Sequence, residues 1–216
     1  MLEIETTHGP ARAHLHRAPD PVGGLVLGHG AAGGVGARDL VAATEAALEE
    51  GFSVALIEQP YRVAGRRSPA PARQLDRAWV DVVASLRAGA LSGLALIVGG
   101  RSAGARVACR TAAETGAVAV LCLAFPLQAP RRRGGVERAS RLPELEAVRV
   151  PVLVVQGSGD PFGLPEAAER RDVVVVAGNH SLAGDSGAVS GAVRRWLSAL
   201  RLGTGKRSFP RSAASG

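Results

Sequence analysis

Leu94-Ala95-Leu96-Ile97-Val98-Gly99-Gly100-Arg101-Ser102-Ala103-Gly104 is the stretch on which the reading of this chain turns. Its first five residues are apolar without alternation, which predicts a strand over 94–98 buried on both faces. Helix-competent residues follow to about residue 113. A strand that runs through glycines straight into a helix must turn sharply. The residue at the apex, Ser102, then takes a strained backbone conformation that only small neighbours permit. Gly100 and Gly104 meet that requirement. A serine hydroxyl is a weak nucleophile until a base takes its proton, so presentation alone is half of the chemistry. The same turn sets the Ala103 amide at a helix N-terminus, aimed where an oxyanion would develop. An ordinary glycine-rich turn has the same letters, and only the strand-before, helix-after context separates the two.

Outward from this stretch the pattern alternates. Short extended segments over 2–6 and 11–16, parted by Gly9-Pro10, predict an antiparallel hairpin at a sheet edge. A strand over 24–27 enters a Gly-rich loop, and Asp39 is expected to cap a helix through Glu50. Strands are expected over 53–57, 118–124, 150–155 and 173–176. Helices are expected over 72–87, near 165–170 and over 188–200, with loops over 58–71 and 126–142. Trp79 falls on the apolar face of the 72–87 helix and reads as core. Apolar strands alternating with helices predict a doubly wound, mostly parallel sheet covered on both faces, with the antiparallel hairpin at its edge and no lid domain. One domain is expected over 1–202, followed by a disordered basic tail over 203–216.

Bulk properties exclude several classes. The 216 residues carry a net charge of +7, but Lys206 is the only lysine among 26 basic residues. Arginine in place of lysine, with much Ala and Gly, reads as a compositional bias and a solvated basic surface, so no nucleic-acid partner is expected. Cys109 and Cys122 lie in apolar runs, outside any CxxC or Cys/His cluster, and are expected as buried free thiols with no metal. The first ten residues lack a signal-peptide core, and no apolar run is long enough to span a bilayer. No membrane partner and a cytoplasmic location are expected. Nothing in the pattern speaks to oligomeric state.

In parallel sheets ligands sit at the carboxyl ends of the strands. The polar and Gly-rich motifs at 29–34, 99–104, 156–160 and 177–180 all fall there. Where a Gly-x-Ser-x-Gly turn between strand and helix presents the serine, the chain order is serine, then acid, then histidine. Only His180 lies downstream of Ser102, and Asp160 lies between them after its own strand. A buried carboxylate beside imidazole fixes the tautomer and stabilises the imidazolium of the transition state. Asp160-Pro161 could equally start a turn, and His180 could sit in a surface loop. Asp185 follows His180 and is a poorer acid, and Glu137 ranks behind Asp160. A second oxyanion donor is expected from the Ala31 amide in His29-Gly30-Ala31-Ala32-Gly33. That loop lacks the Lys-Ser/Thr ending of a phosphate cradle, and His29 reads as its anchor.

Together these motifs resemble a family. They comprise His29-Gly30-Ala31-Ala32-Gly33, Glu58-Gln59-Pro60-Tyr61, Gly99 through Ala108, Leu121 through Leu127, Gln156 through Gly163, and Gly178 through Leu182. The chain resembles the dienelactone-hydrolase-related branch of the α/β-hydrolases, which includes testis-expressed and chromatin-complex hydrolase-like proteins and small bacterial members. The resemblance implies a Ser-Asp-His triad and no cofactor. Ala103 stands where relatives often have Met, Asn179 where they often have Asp, and Ser102 where dienelactone hydrolases proper use cysteine. Lactone specificity is therefore not implied.

The expected activity is hydrolysis of a carboxylic ester, thioester or related small acyl compound. Tyr61, Arg62 and Arg101 are expected at the substrate. Arg62, Arg66, Arg67 and Arg131, Arg132 and Arg133 either ring an open pocket mouth or point to water. A non-catalytic interaction module on the same fold is the alternative, and it would not need a complete triad. A nucleic-acid binder would need affinity that falls steeply with salt.

Overall fold

A computed structural model describes residues 1–31, 33–129 and 139–200. Eight strands form one sheet: β1 (Leu2–Ile4), β2 (Ala11–His16), β3 (Gly23–Gly28), β4 (Phe52–Glu58), β5 (Leu96–Arg101), β6 (Ala119–Leu123), β7 (Val152–Gly157) and β8 (Arg171–Val176). Their spatial order is β1-β2-β4-β3-β5-β6-β7-β8. The β1–β2 and β2–β4 pairs are antiparallel and the others parallel. This is the expected doubly wound sheet with its edge hairpin.

The helices are α1 (Arg38–Glu49), α2 (Pro60–Val63), α3 (Ala72–Ala88), α4 (Ala103–Thr111), α5 (Leu142–Glu146) and α6 (Ser186–Ala199). Because side chains alternate along a strand, each central strand feeds two cores. Leu25 and Leu27 of β3, with Val54 and Leu56 of β4, pack under α1 and α6. Val26, Ala55 and Ile57 face the opposite way, toward Trp79 of α3 and Ala105 and Ala108 of α4. With so few aromatics, Trp79 is the largest fully buried side chain, as its place on the apolar face implied.

Several expected elements differ. Asp39 does not cap α1: the helix begins two residues earlier than such a cap would place it, Ala37 takes the cap position, and Asp39 is fully buried in the first turn. The loop after β4 contains α2, which starts at Pro60, where the missing proline N–H costs nothing. The loop before β7 contains α5, again with proline in its first turn. No helix forms over 165–170. Ala168 bridges Arg171 antiparallel, each N–H donating to the other's carbonyl, so the backbone groups a helix would use are taken up in the approach to β8. β8 is the sheet edge, so its valines are not all covered, and Val175 is 52% exposed. The 203–216 tail, Glu137 and Arg131 to Arg133 lie outside the described residues.

Cys109 and Cys122 are buried free thiols, as expected. Their sulfurs are 3.5 Å apart, and the hydrogen bond with Cys109, then burial, pushes the Cys122 thiol well above its ordinary pKa. Among the described residues no helix is long and apolar enough to cross a membrane.

Candidate active site

The turn between β5 and α4 carries the strain its sequence implied. Ser102 has φ 52° and ψ −107°, a left-handed conformation for a residue with a side chain. Its N–H donates to the Leu123 carbonyl at 2.9 Å, which ties the turn to the end of β6. The glycines are there because backbones meet. A Cβ on Gly104 would lie 2.3 Å from the Gly28 carbonyl oxygen, and one on Gly100 2.4 Å from the same atom. The first turn of α4 is thus pressed onto the end of β3, next to the His29 loop. Its leading amides, Ala103 first, have no partners within the helix.

The three residues expected to meet do so. His180 Nε2 lies 2.9 Å from Ser102 Oγ, and His180 Nδ1 lies 2.7 Å from Asp160 Oδ2. A carboxylate only accepts, so Nδ1 carries the proton and Nε2 faces the serine hydroxyl as acceptor. The Asp160 side chain is fully shielded from solvent, whereas the His180 side chain is 20% exposed. Asp160 accepts two further bonds, Oδ2 from Gln156 Nε2 at 2.8 Å and Oδ1 from the Phe162 N–H at 2.9 Å. Gln156 also donates to the carbonyls of Phe125 and Gly163, joining the acid to the loops on both sides. The Phe162 ring stands edge-on to the imidazole, 4.6 Å between centres. Asp185, the poorer acid candidate, caps α6 by accepting from the Ala188 N–H at 2.8 Å.

His29 holds the Gly-rich loop from beneath. Its Nδ1 donates to the Gly30 carbonyl at 2.8 Å, and its Nε2 accepts from the Gln59 N–H at 3.2 Å. Burial pushes its pKa below the usual histidine value. This has a consequence for stability. An unfolded histidine takes up a proton below about pH 6.5, while the buried imidazole resists it. Acidification through that pH therefore favours the unfolded chain, and the His29 contribution is complete only above it. Urea unfolding at pH 7 and pH 5 is expected to show a smaller loss of stability in His29→Asn than in the wild type, whatever the offset at pH 7.

Of the three expected substrate contacts, two lie elsewhere. Tyr61 is buried, and its hydroxyl donates to the Ala31 carbonyl at 3.1 Å, so it shapes the loop instead of facing substrate. Arg62 lies in α2, and neither it nor Arg66 or Arg67 is on the wall of the Ser102 cavity. Arg101 does border that cavity, but its guanidinium is committed. Nε sits 2.8 Å from Asp39 Oδ2, an ion pair not aligned as a hydrogen bond, and Nη2 donates to the His180 carbonyl at 3.1 Å. A Cβ on Gly30 would come within 2.8 Å of Nη1, so the same side chain also underlies the Gly-rich loop. Burial raises the Asp39 pKa, and Arg101 pulls it back. Arg101 therefore links α1, the Ala31 loop and the His180 loop. Nothing in the spacing of Asp39 and Arg101 announces the pairing.

Ser102, His180, Ala31 and Ala103 open onto one cavity of about 590 Å³. Among the described residues no cluster of three or more His, Cys, Asp or Glu could hold a metal ion. The arrangement offers an alcohol against an imidazole, a carboxylate behind it, and two backbone segments of small residues beside the alcohol.

Known proteins place this geometry in context. A model of the alpha/beta hydrolase domain matches residues 22–187. No curated protein matches the chain by sequence. Among solved structures, Est1E from Butyrivibrio proteoclasticus with ferulic acid bound is 16% identical, with a TM-score of 0.71 over 91% of this chain and 98% of that one. XC6422 from Xanthomonas campestris, described as a serine hydrolase without lid, is 20% identical, with a TM-score of 0.68 over 92% and 95%. A dienelactone hydrolase from Anabaena variabilis is 16% identical, with a TM-score of 0.71 over 91% and 94%. At such identities the structures attest the fold, and the domain match covers most of the sequence: the chain is an α/β hydrolase, a member of that family from residue 22 to residue 187.

Proposed function

We propose that this protein is a serine hydrolase of carboxylic esters, thioesters or related small acyl compounds, working through an acyl-enzyme. The observation that carries the reading is the unbroken chain from Ser102 Oγ to His180 Nε2 at 2.9 Å and from His180 Nδ1 to Asp160 Oδ2 at 2.7 Å. Ser102 Oγ attacks the acyl carbonyl while His180 Nε2 takes its proton, and Asp160 stabilises the resulting imidazolium. The carbonyl oxygen becomes an oxyanion, received by the N–H groups of Ala103 and Ala31. His180 returns the proton to the departing alcohol or thiol as the bond to it breaks. Water then attacks the acyl-serine, giving its proton to His180, and the acid leaves as Ser102 is restored. Arg101 and Gln156 are positioning residues, the first holding the His180 backbone and the second the Asp160 carboxylate.

The test is turnover. The purified full chain is expected to release 4-nitrophenol from 4-nitrophenyl butyrate with saturable kinetics and no added metal. Folded protein that gives only the buffer rate across a series of short and medium acyl chains would contradict the proposal.

A further inference from the structure

The cavity that exposes Ser102 has a second polar wall. Arg106 and Arg110 lie one turn apart on α4, and Arg141 immediately precedes α5. All three border the cavity. Two carboxylates answer the first two. Glu144 accepts from Arg106 Nε at 2.9 Å and from its Nη2, while Asp76 accepts from Arg110 at 2.8 and 2.6 Å. Arg110 Nη1 also reaches Glu144 at 3.3 Å. Arg141 is the odd one. Among the described residues its Nη1 donates to the carbonyls of Pro126 and Gln128, at 3.3 and 3.5 Å. Among the described residues it has no carboxylate partner.

Among the described residues this leaves one positive charge without a carboxylate partner on the wall of the Ser102 cavity. Burial, and then the neighbouring Arg106, depress the Arg141 pKa, and Glu144 offsets this only in part. An anion at this spot would relieve both the desolvation and the crowding of guanidiniums. The cluster of three arginines and two carboxylates is one charge short of neutral, which suits a monoanion. A guanidinium fork matches a planar carboxylate through two parallel bonds. Leu75, Pro126 and Phe162 supply apolar lining for a hydrocarbon chain in the same cavity.

We propose that the substrate is an ester whose acyl chain ends in a carboxylate, with that carboxylate held by Arg141 while the ester carbonyl lies at Ser102. The inference rests on the hydrolase reading above and narrows it to a substrate class, the half-esters of dicarboxylic acids. The reaction splits the acyl C–O bond with one water and releases a dicarboxylate and an alcohol. Arg141 takes no part in bond making and acts through binding.

The experiment compares mono-4-nitrophenyl adipate with 4-nitrophenyl hexanoate, which has the same chain length and no terminal charge. The wild type is expected to favour the charged ester in kcat/KM by roughly tenfold or more, as for one charge-assisted contact in a partly desolvated site. The preference should shrink as NaCl rises from 20 to 500 mM. Arg141→Gln should bring the ratio of the two esters near one, and Arg141→Lys should restore part of it. The ratio is the readout because Arg141 also braces the Pro126 loop, so both rates can move together. If Arg141→Gln does not fold, the wild-type ratio and its salt dependence still decide. Hydrolysis of the neutral ester with no preference for the charged one, or a preference that survives Arg141→Gln, overturns this proposal and leaves the hydrolase reading standing. Hydrolysis of neither ester overturns both.

Discussion

Ser102→Ala is expected to lower kcat on 4-nitrophenyl butyrate by about 10⁵–10⁶-fold without loss of fold. The substitution removes the only atom proposed to form the covalent intermediate, so the two-step route closes. What remains are the amides of Ala103 and Ala31 and the cavity itself, enough for a residual rate above that of water. The fold should tolerate the change. Among the described residues the Ser102 side chain is bonded to His180 alone, and alanine bears the same φ of 52° at no greater cost. The three side chains act as a unit, so adding His180→Ala to Ser102→Ala should cost little more. Steady-state kinetics with urea unfolding as a control check the prediction. A Ser102→Ala protein with near wild-type kcat would mean that some other group performs the attack.

Gly104→Ala is expected to destabilise the protein by about 4 kcal/mol or more, or to prevent folding. The added Cβ would sit 2.3 Å from the Gly28 carbonyl oxygen, 2.6 Å from its carbon and 2.9 Å from the His29 carbonyl oxygen. All three atoms are backbone, so no side chain can rotate away. Relief requires α4 to lift from β3, and that lift would carry the Ser102 turn with it. Gly36→Ala is the control. Its Cβ would meet nothing within 4 Å, and the substitution should fall within about 0.5 kcal/mol of wild type. Denaturant unfolding of the two variants should separate them plainly.

Much of the scaffold was legible because it depends on local signals. Continuous apolar runs marked the central strands, and the glycines around Ser102 marked the tight turn. The strand-end positions of residues 102, 160 and 180 put three reactive side chains at one rim, where the structure brings them within hydrogen-bond reach. His29 reads as the anchor of its Gly-rich loop, and its ring bonds to the Gly30 carbonyl. What stayed hidden depends on how distant elements dock. Asp39 reads as a helix cap from its neighbours, yet it is a buried partner of Arg101, 62 positions away. Tyr61 reads as a pocket residue, yet it props the loop from behind. Arg62, Arg66 and Arg67 read as residues of the pocket mouth, yet the arginines that border the cavity among the described residues are Arg101, which the motif did mark, and Arg106, Arg110 and Arg141, which it did not. The four-residue spacing of Arg106 and Arg110 does put them on one helix face. Which way that face points is fixed only when Gly104 seats α4 on β3. The short helices α2 and α5 also escaped, since four or five residues carry too little periodicity to be seen.

The convergence of Ser102, His180 and Asp160 is tested most directly by phosphonylation with a fluorophosphonate, followed by intact mass and peptide mapping. The wild type is expected to gain one adduct at Ser102, and His180→Ala to react there about 10²–10⁴-fold more slowly. An adduct elsewhere, or labelling of Ser102 at the same rate with and without the imidazole, would contradict the account.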